Sequence, residues 1–232
     1  MANTREWIPE TRFGRWFQTT DVWLRYVIQE AVTDLLRLLD SPPRTYATVL
    51  DVGCGSGRAL HLLDSAFNPT LLVAVDMDPV LLARAEREAS RCRCPVDLRQ
   101  GSATTLDLAE ASVDLVFCHQ TFHHLLEQER AANEFRRVLR PSGMLLFAES
   151  CAPFIRSLPI RLLFRHPMHT QRTADEYLRL LRATGFSFTE ANVSEPYPWW
   201  SRPDFGLRER LGLPMGGSRR DTVLHVAAAR KP

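Results

Sequence analysis

From residue 48 onward, short apolar runs alternate with amphipathic stretches: TVLDVG, RALHLLDSA, LLVAVDMD, PVLLARAEREASR, VDLRQGSA, VDLVFCHQ, LEQERAANEFRRVLR and GMLLFAES. The apolar runs have the length of buried strands, and the helical stretches between them are what right-handed crossovers between parallel strands require. The expected class is therefore α/β, with helices packed on a mostly parallel sheet. Ahead of this region, residues 19 to 40 place Val22, Leu24, Val27, Ile28, Val32, Leu35, Leu36 and Leu39 near helical spacing. Thr20 or Asp21 is the expected N-cap of that helix, and Ser41-Pro42-Pro43 its stop.

After residue 150 the rhythm changes. APFIRSLPIRLLFRHPMHT, residues 152 to 170, is apolar, basic and broken by prolines, which predicts an insertion of short helices. Thr173 then opens an amphipathic helix with Asp175 and Glu176 in its first turn, Arg179 and Arg182 late in it and Gly185 as its stop. FSFTEANVS alternates like a strand, a Pro- and Trp-rich loop follows, and TVLHVAAARK reads as a last strand. No internal repeat and no composition break divides the chain.

Composition adds limits. With 232 residues, 45% hydrophobic and 24% charged, the chain can build one sizeable core, which sets aside disordered and collagen-like classes. A net charge of +2 is too small for the broad electrostatic footprint of a nucleic-acid binder. Lys231 is the only lysine, so Schiff-base chemistry would fall to it alone. The charge is also uneven: residues 49 to 150 carry 10 basic and 14 acidic groups, residues 151 to 232 carry 13 and 7. Five cysteines, an odd number, and the absence of an apolar stretch in MANTREWIPE lead us to expect reduced thiols and a cytoplasmic location. No apolar run approaches the ~20 residues of a membrane span.

The chemistry is concentrated in Val49-Leu50-Asp51-Val52-Gly53-Cys54-Gly55-Ser56-Gly57, an apolar strand entering a glycine turn that opens a helix. Glycines at alternate positions allow a tight turn and close approach of a ligand to the backbone. About 20 residues on, Leu72-Val73-Ala74-Val75-Asp76 ends a second strand in a carboxylate, a spacing that suits the grip of a ribose diol. Asp78, just before Pro79, reads as the cap of the helix that follows.

VLDVGCGSG, VAVDMDP, GSATTLDLAEASVDLVFCHQTFHHL and EFRRVLRPSGMLLFAES stand in this order, and over about residues 45 to 190 the sequence resembles class I S-adenosylmethionine-dependent methyltransferases of the UbiE-like, methyltransferase-domain type. The resemblance implies a Rossmann-like fold with a seven-stranded, mostly parallel sheet, helices on both faces and one antiparallel strand near the C-terminus. It implies S-adenosyl-L-methionine as cofactor, S-adenosyl-L-homocysteine as product, and a single domain over 1-232. Within it, 1-44 would form a helical lid, 45-150 the cofactor-binding core, and 151-172 and 195-221 substrate-covering insertions. By the same resemblance, Gly53, Cys54, Gly55 and Gly57 line the methionine part of the cofactor, and Asp51 orients the loop and approaches the amino group. Asp76 holds the ribose hydroxyls and Met77 packs on adenine. Ser102 and Ala103 stand where the family often places an acidic residue for the adenine amino group, and His119 ends the fourth strand beneath the methionine end.

Methyl transfer from a sulfonium is an in-line displacement, so a general base is needed only when the acceptor arrives protonated. His119, His123 and His124 are the candidates for that base, although the His-His pair is mainly structural in the family. His166 and His169 either face the pocket or cap a surface helix. No metal site is expected, because no carboxylate or cysteine stands at ligand spacing around these histidines. Cys92 and Cys94 form a C-x-C motif between a helix and a strand, away from the expected acceptor site. The Asn/Asp-Pro-Pro-aromatic and Pro-Cys signatures of nucleic-acid methylation are missing, so no nucleic-acid partner is expected. Arg136, Arg137 and Arg140 read as the solvated face of a helix.

The flanks speak to the acceptor. Trp7, Phe13, Trp16, Phe17, Trp23 and Tyr26 lie at one end, Phe154, Ile155, Leu158, Leu162, Leu163 and Phe164 in the insertion, and Trp199 and Trp200 beyond it. They either enclose an apolar or aromatic acceptor under a lid or simply cover the sheet. Arg156, Arg161 and Arg165 interleave with them and suit an acidic substrate group or an anionic membrane surface. The expected partner is a small-molecule acceptor, and the expected assembly a monomer or homodimer. The alternatives are methylation of a protein, an RNA or a membrane lipid or quinone, and a non-catalytic cofactor-binding relative.

Overall fold

The computed structural model describes residues 8–39, 46–202, 204–213 and 221–231. Its centre is a sheet of β1 (Thr48–Val52), β2 (Leu71–Asp76), β3 (Val96–Gln100), β4 (Val113–His119), β5 (Leu139–Ser150), β6 (Phe186–Ser187), β7 (Val193–Ser194) and β8 (Val223–Arg230). The order is β3-β2-β1-β4-β5-β8-β6, with β7 also paired to β8. The first five strands run parallel and β8 is antiparallel to β5. Seven rows of strand were expected. The eighth strand arises because FSFTEANVS does not stay extended: a 3-10 turn at Glu190–Asn192 splits it into β6 and β7, both antiparallel to β8.

Strand alternation explains why helices are needed on both faces. Val73, Val75, Val116 and Cys118 point into one core with the Gln128–Val138 and Ala174–Ala183 helices. Leu72, Ala74, Leu115 and Phe117 point into the other, with helices Gln29–Arg37 and Leu60–Phe67. Because β1 is flanked by β2 on one side and β4 on the other, the chain leaves it in opposite directions, and a crevice opens at the C-terminal ends of these strands.

Most helix punctuation follows the expected chemistry. Asp78 caps Val80 N at 2.9 Å ahead of Pro79, and Thr173 with Glu176 forms a reciprocal capping box. Thr20 caps the N-terminal helix through Trp23 N, but that helix carries a π turn at Leu24–Ile28. Its predicted stop at Ser41-Pro42-Pro43 lies outside the described residues, as does Trp7. The insertion folds as two short helices, Ala152–Ile155 and Leu158–Leu163. Arg137 departs from the solvated-face expectation: it pairs with Glu134 and donates to the Leu106 and Leu108 carbonyls, fastening the loop after β3. All five cysteines are free thiols. Among the described residues, no helix is long and apolar enough to cross a membrane.

Candidate active site

The turn after β1 is built around its glycines. Gly53, Gly55 and Gly57 all have positive φ, at 74°, 54° and 77°. A Cβ on Gly53 would lie 2.1 Å from Thr121 Oγ1, and one on Gly57 3.0 Å from Ala85, whereas Gly55 has nothing within 4 Å. Gly53 and Gly55 line a cavity at the strand tips, together with Cys54, Asp51, Asp76 and Met77. Gly57 was expected there too. It lies instead behind the loop, where its lack of a side chain lets the loop pack on the Pro79–Ala89 helix.

Two carboxylates dominate the cavity. Asp76 takes the Gly55 amide on Oδ2 and the Asp78 amide on Oδ1, both at 2.8 Å, so it fixes the glycine loop against the tip of β2. Burial raises its pKa, partly offset by those amides. Asp51 is 2% exposed, and its Oδ2 has no hydrogen-bond partner. Burial first, and the nearby Asp76 charge second, push its pKa up to about 8. An orphaned carboxylate oxygen at that position suits a cationic group. Arg58 lines the same cavity and reaches Asp21 at 2.6 Å, tying the N-terminal helix to the loop.

Gly101 and Ala103 reach the cavity wall. Ser102 does not: its hydroxyl is 2.8 Å from Thr104 Oγ1 and also accepts the Thr104 amide, so it shapes its own turn. Its hydroxyl is thus engaged in the local turn and lies outside the cavity lining.

The histidines separate into different environments. His119 ends β4 under Trp23, ring centroids 6.0 Å apart, with its Nε2 unpartnered. Burial brings its pKa down to about 3, far from the range of an efficient base at neutral pH. His123 is 3% exposed and its Nδ1 lies 2.5 Å from Glu149 Oε2. Glu149 is fully buried and also accepts the Thr121 and Phe122 amides on Oε1, so one carboxylate sets the whole turn after β4. His124 is held neutral by burial, its pKa well below the usual histidine range. His166 swings in from the insertion to stack 4.8 Å from His124, while His169 points outward.

Sequence reasoning missed Glu10, Gln120 and Glu149. Glu149 ends an apolar run, GMLLFAES, where a buried carboxylate is the anomaly that could have flagged it. Gln120 sits at φ 50°, a left-handed conformation just past the β4 tip, and accepts from Ser150 Oγ at 2.7 Å. Glu10 gave no local signal.

A second, apolar chamber of about 250 Å³ adjoins the first, walled by Phe13, Phe17, Phe154, Phe164, Trp199 and Trp200 among others. Glu10, Gln18, Trp23, Gln120 and His124 belong to both walls. The flanking aromatics therefore surround a space as well as covering the sheet. Phe164 packs edge-on to Phe13 at 5.6 Å, and Phe154 to Trp200 at 5.5 Å.

A doubly wound sheet with an antiparallel eighth strand, and a glycine loop and two carboxylates at the tips of β1 and β2, is the architecture of class I methyltransferases. Residues 50–147 match the methyltransferase domain family. Over 136 residues it is 32% identical to the malonyl-[acyl-carrier protein] O-methyltransferase of Xylella fastidiosa, covering 59% of this chain and 45% of that protein. The chain spans less than half the length of the curated relatives it matches. Among solved structures, a chain from the complex of the Haloferax volcanii Trm112 methyltransferase activator superposes with a TM-score of 0.70 at 19% identity, over 94% of this chain and 93% of that one. An S-adenosylmethionine-dependent methyltransferase from Mesorhizobium loti gives 0.64 at 18% identity, over 85% and 96%. At such identities the likeness is one of fold.

Proposed function

We propose that this chain transfers the methyl group of S-adenosylmethionine to a small, largely apolar acceptor enclosed under the N-terminal helices and the insertion. The observation that carries the reading is the meeting of two cavities, one holding the Asp51 and Asp76 carboxylates and one aromatic, at a shared wall that includes Trp23 and Gln120. When bound, the cofactor supplies an electrophilic methyl group on a sulfonium. The residues present fit it: the unpartnered Asp51 Oδ2 takes the amino group, the Gly53–Gly55 turn allows close approach of the methionine part, and Asp76 and Met77 hold the ribose and adenine. Since Asp76 already receives two loop amides, ligand hydroxyls share its oxygens with them.

The chain's contribution to rate is then alignment and exclusion of water. Aromatic walls hold the acceptor, and Trp23 with Gln120 sets its approach. In this reading His119 is a neutral hydrogen-bonding group, and His123, held by Glu149, positions the turn. Of the three histidines, His124 alone lines both cavities together with a carboxylate, Glu10. Residues 1-44, 151-172 and 195-221 act as the cover, and 45-150 as the cofactor core.

A second reading has its own observation. Arg156, Arg161 and Arg165 are exposed on the insertion, in the basic C-terminal third, and the Xylella relative is named for an acyl-carrier-protein substrate. An acceptor presented by an acidic carrier would use those arginines. Transfer of labelled methyl in a lysate separates the two. Label in the small-molecule fraction supports the first, and label released from a protein fraction by thioester cleavage supports the second. Calorimetry with S-adenosylmethionine tests both: undiminished binding by Asp76→Ala would sink the assignment of the cofactor site.

A further inference from the structure

Three imidazoles, those of the neighbouring His123 and His124 and of the distant His166, converge on the wall of the aromatic chamber. The ligand nitrogens of His123, His124 and His166 lie within 4.8 Å of one another, and the ring centroids are 4.4 to 5.0 Å apart. Glu10 Oε2 stands 3.9 Å from His124 Nε2, and the Glu10 side chain is only 7% exposed. Thus a carboxylate does stand beside these histidines. It comes from residue 10, which is why spacing along the sequence gave no sign of it.

The arrangement is held in place by bonds outside the ring cluster. Glu149 accepts from His123 Nδ1, which fixes the tautomer and leaves the Nε2 lone pair free, the usual role of a carboxylate behind a metal-ligating histidine. Gln171 Nε2 donates to the His123 carbonyl at 2.8 Å and to the Pro167 carbonyl at 3.0 Å, pinning the loop that carries His166. Glu10 Oε1 accepts the Thr11 amide at 2.6 Å and the Arg165 amide at 2.9 Å, which leaves Oε2 toward the histidines. His124 Nδ1 is buried with no partner.

We propose that His123, His124 and His166, with Glu10 as the fourth group, form a binding site for a first-row divalent cation, Zn²⁺ in the first instance. Three neutral imidazoles with a carboxylate or an open position is a donor set that Zn²⁺ accepts, and imidazole excludes Mg²⁺ and Ca²⁺ as favoured ions. Tetrahedral ligands about 2.1 Å from zinc lie roughly 3.4 Å apart, so binding draws the rings inward. All four groups face the aromatic chamber. The cation would hold a lone-pair atom of the acceptor there, an oxygen, nitrogen or sulfur. This last role rests on the methyl-transfer reading, whereas cation binding itself does not.

The test uses tag-free, chelator-stripped protein titrated with Zn²⁺ by calorimetry and with Co²⁺ by visible absorption. The wild type takes up one equivalent, and the cobalt spectrum is that of nitrogen and oxygen ligands. His166→Ala lowers Zn²⁺ affinity by at least about a hundredfold, beyond the 10–100-fold cost of losing an outer-shell partner. It leaves S-adenosylmethionine binding unchanged, which also reports that the variant is folded. Should His166→Ala prove unstable, Glu10→Gln serves, with a smaller loss. Wild-type protein that binds cofactor but no stoichiometric Zn²⁺ overturns the cation site and leaves the methyl-transfer reading standing. A sulfur-to-cobalt charge-transfer band, abolished in Cys92→Ser/Cys94→Ser, would place the ion on the C-x-C motif and overturn it equally.

Discussion

The two walls of the active site are made in different ways. The cofactor wall is made of strand tips and the turns between them, and backbone fixes much of it: Asp76 is held by two amides and the glycine loop by Val75 O. The acceptor wall is made of short helices, and several of their side chains remain exposed, including Trp16, Leu158 and Leu162. A wall fixed by backbone tolerates little change, and one made of side chains can be altered to suit another acceptor. The division matches what is general in this fold, where rigid scaffold and variable cover are separate parts.

Substitutions on either side break or sharpen that comparison. The largest effect is expected from Asp76→Ala, which removes a buried acceptor serving both loop and ligand. Affinity for S-adenosylmethionine falls by about a hundredfold or more at charged hydrogen bonds worth ~1.5–3 kcal/mol each, measured by calorimetry.

Next comes pH. Asp51 has a folded pKa raised to about 8 from an ordinary 3.8. Below pH 4 it is protonated in both folded and unfolded states. Between about 4 and 8 the unfolded chain releases the proton and the folded one keeps it, so its contribution to stability declines as pH rises through that window and levels above 8. A cationic ligand favours the ionised form. Cofactor affinity should therefore rise with pH by up to about tenfold per unit until pH 8, with a proton released on binding at pH 7. Calorimetry in two buffers of different ionisation heat reads that proton, and no buffer dependence would count against Asp51 as the amino-group partner.

Gly53→Ala should destabilise the fold by about 2–4 kcal/mol, from strain at positive φ and the clash with Thr121. Gly55→Ala, which meets no atom, should cost only about 1 kcal/mol and act mainly on cofactor binding. Chemical denaturation compares the two. On the acceptor wall, Phe164→Ala should leave cofactor affinity intact and raise the acceptor KM roughly tenfold, the loss of about 1.4 kcal/mol of apolar contact. The smallest effect belongs to Arg161→Glu/Arg165→Glu: under twofold with a free small acceptor, and larger only if an acidic carrier presents it.

The same division governs what the sequence could disclose. Strands, crossovers, caps and the glycine turn are local patterns, and Asp51, Asp76 and the Asp78 cap were legible from a few neighbouring residues. Gly57 was misplaced because three glycines in a row of alternating positions look alike, though one faces a helix and two face the cavity. That the Ser102 hydroxyl engages its own turn is decided by geometry, which neighbouring residues do not record. The acceptor wall is assembled by contacts across more than a hundred positions, such as Glu10 with Arg165 and Tyr26 with Trp200, and no periodicity records those. Its aromatic character was visible in composition, but the converging histidines were not. The π turn at Leu24–Ile28 likewise lacks a residue signature and places Val27 and Ile28 over the two cavities.

Trp23 belongs to both walls. On the methyl-transfer proposal, a displacement of the 21–37 helix would alter both compartments at once, and a single element would set the residence time of two different molecules. Demethylated cofactor and methylated product would then be released on one clock. A fast first turnover followed by a slower steady rate is the expected time course, with the interval between turnovers set by the helix.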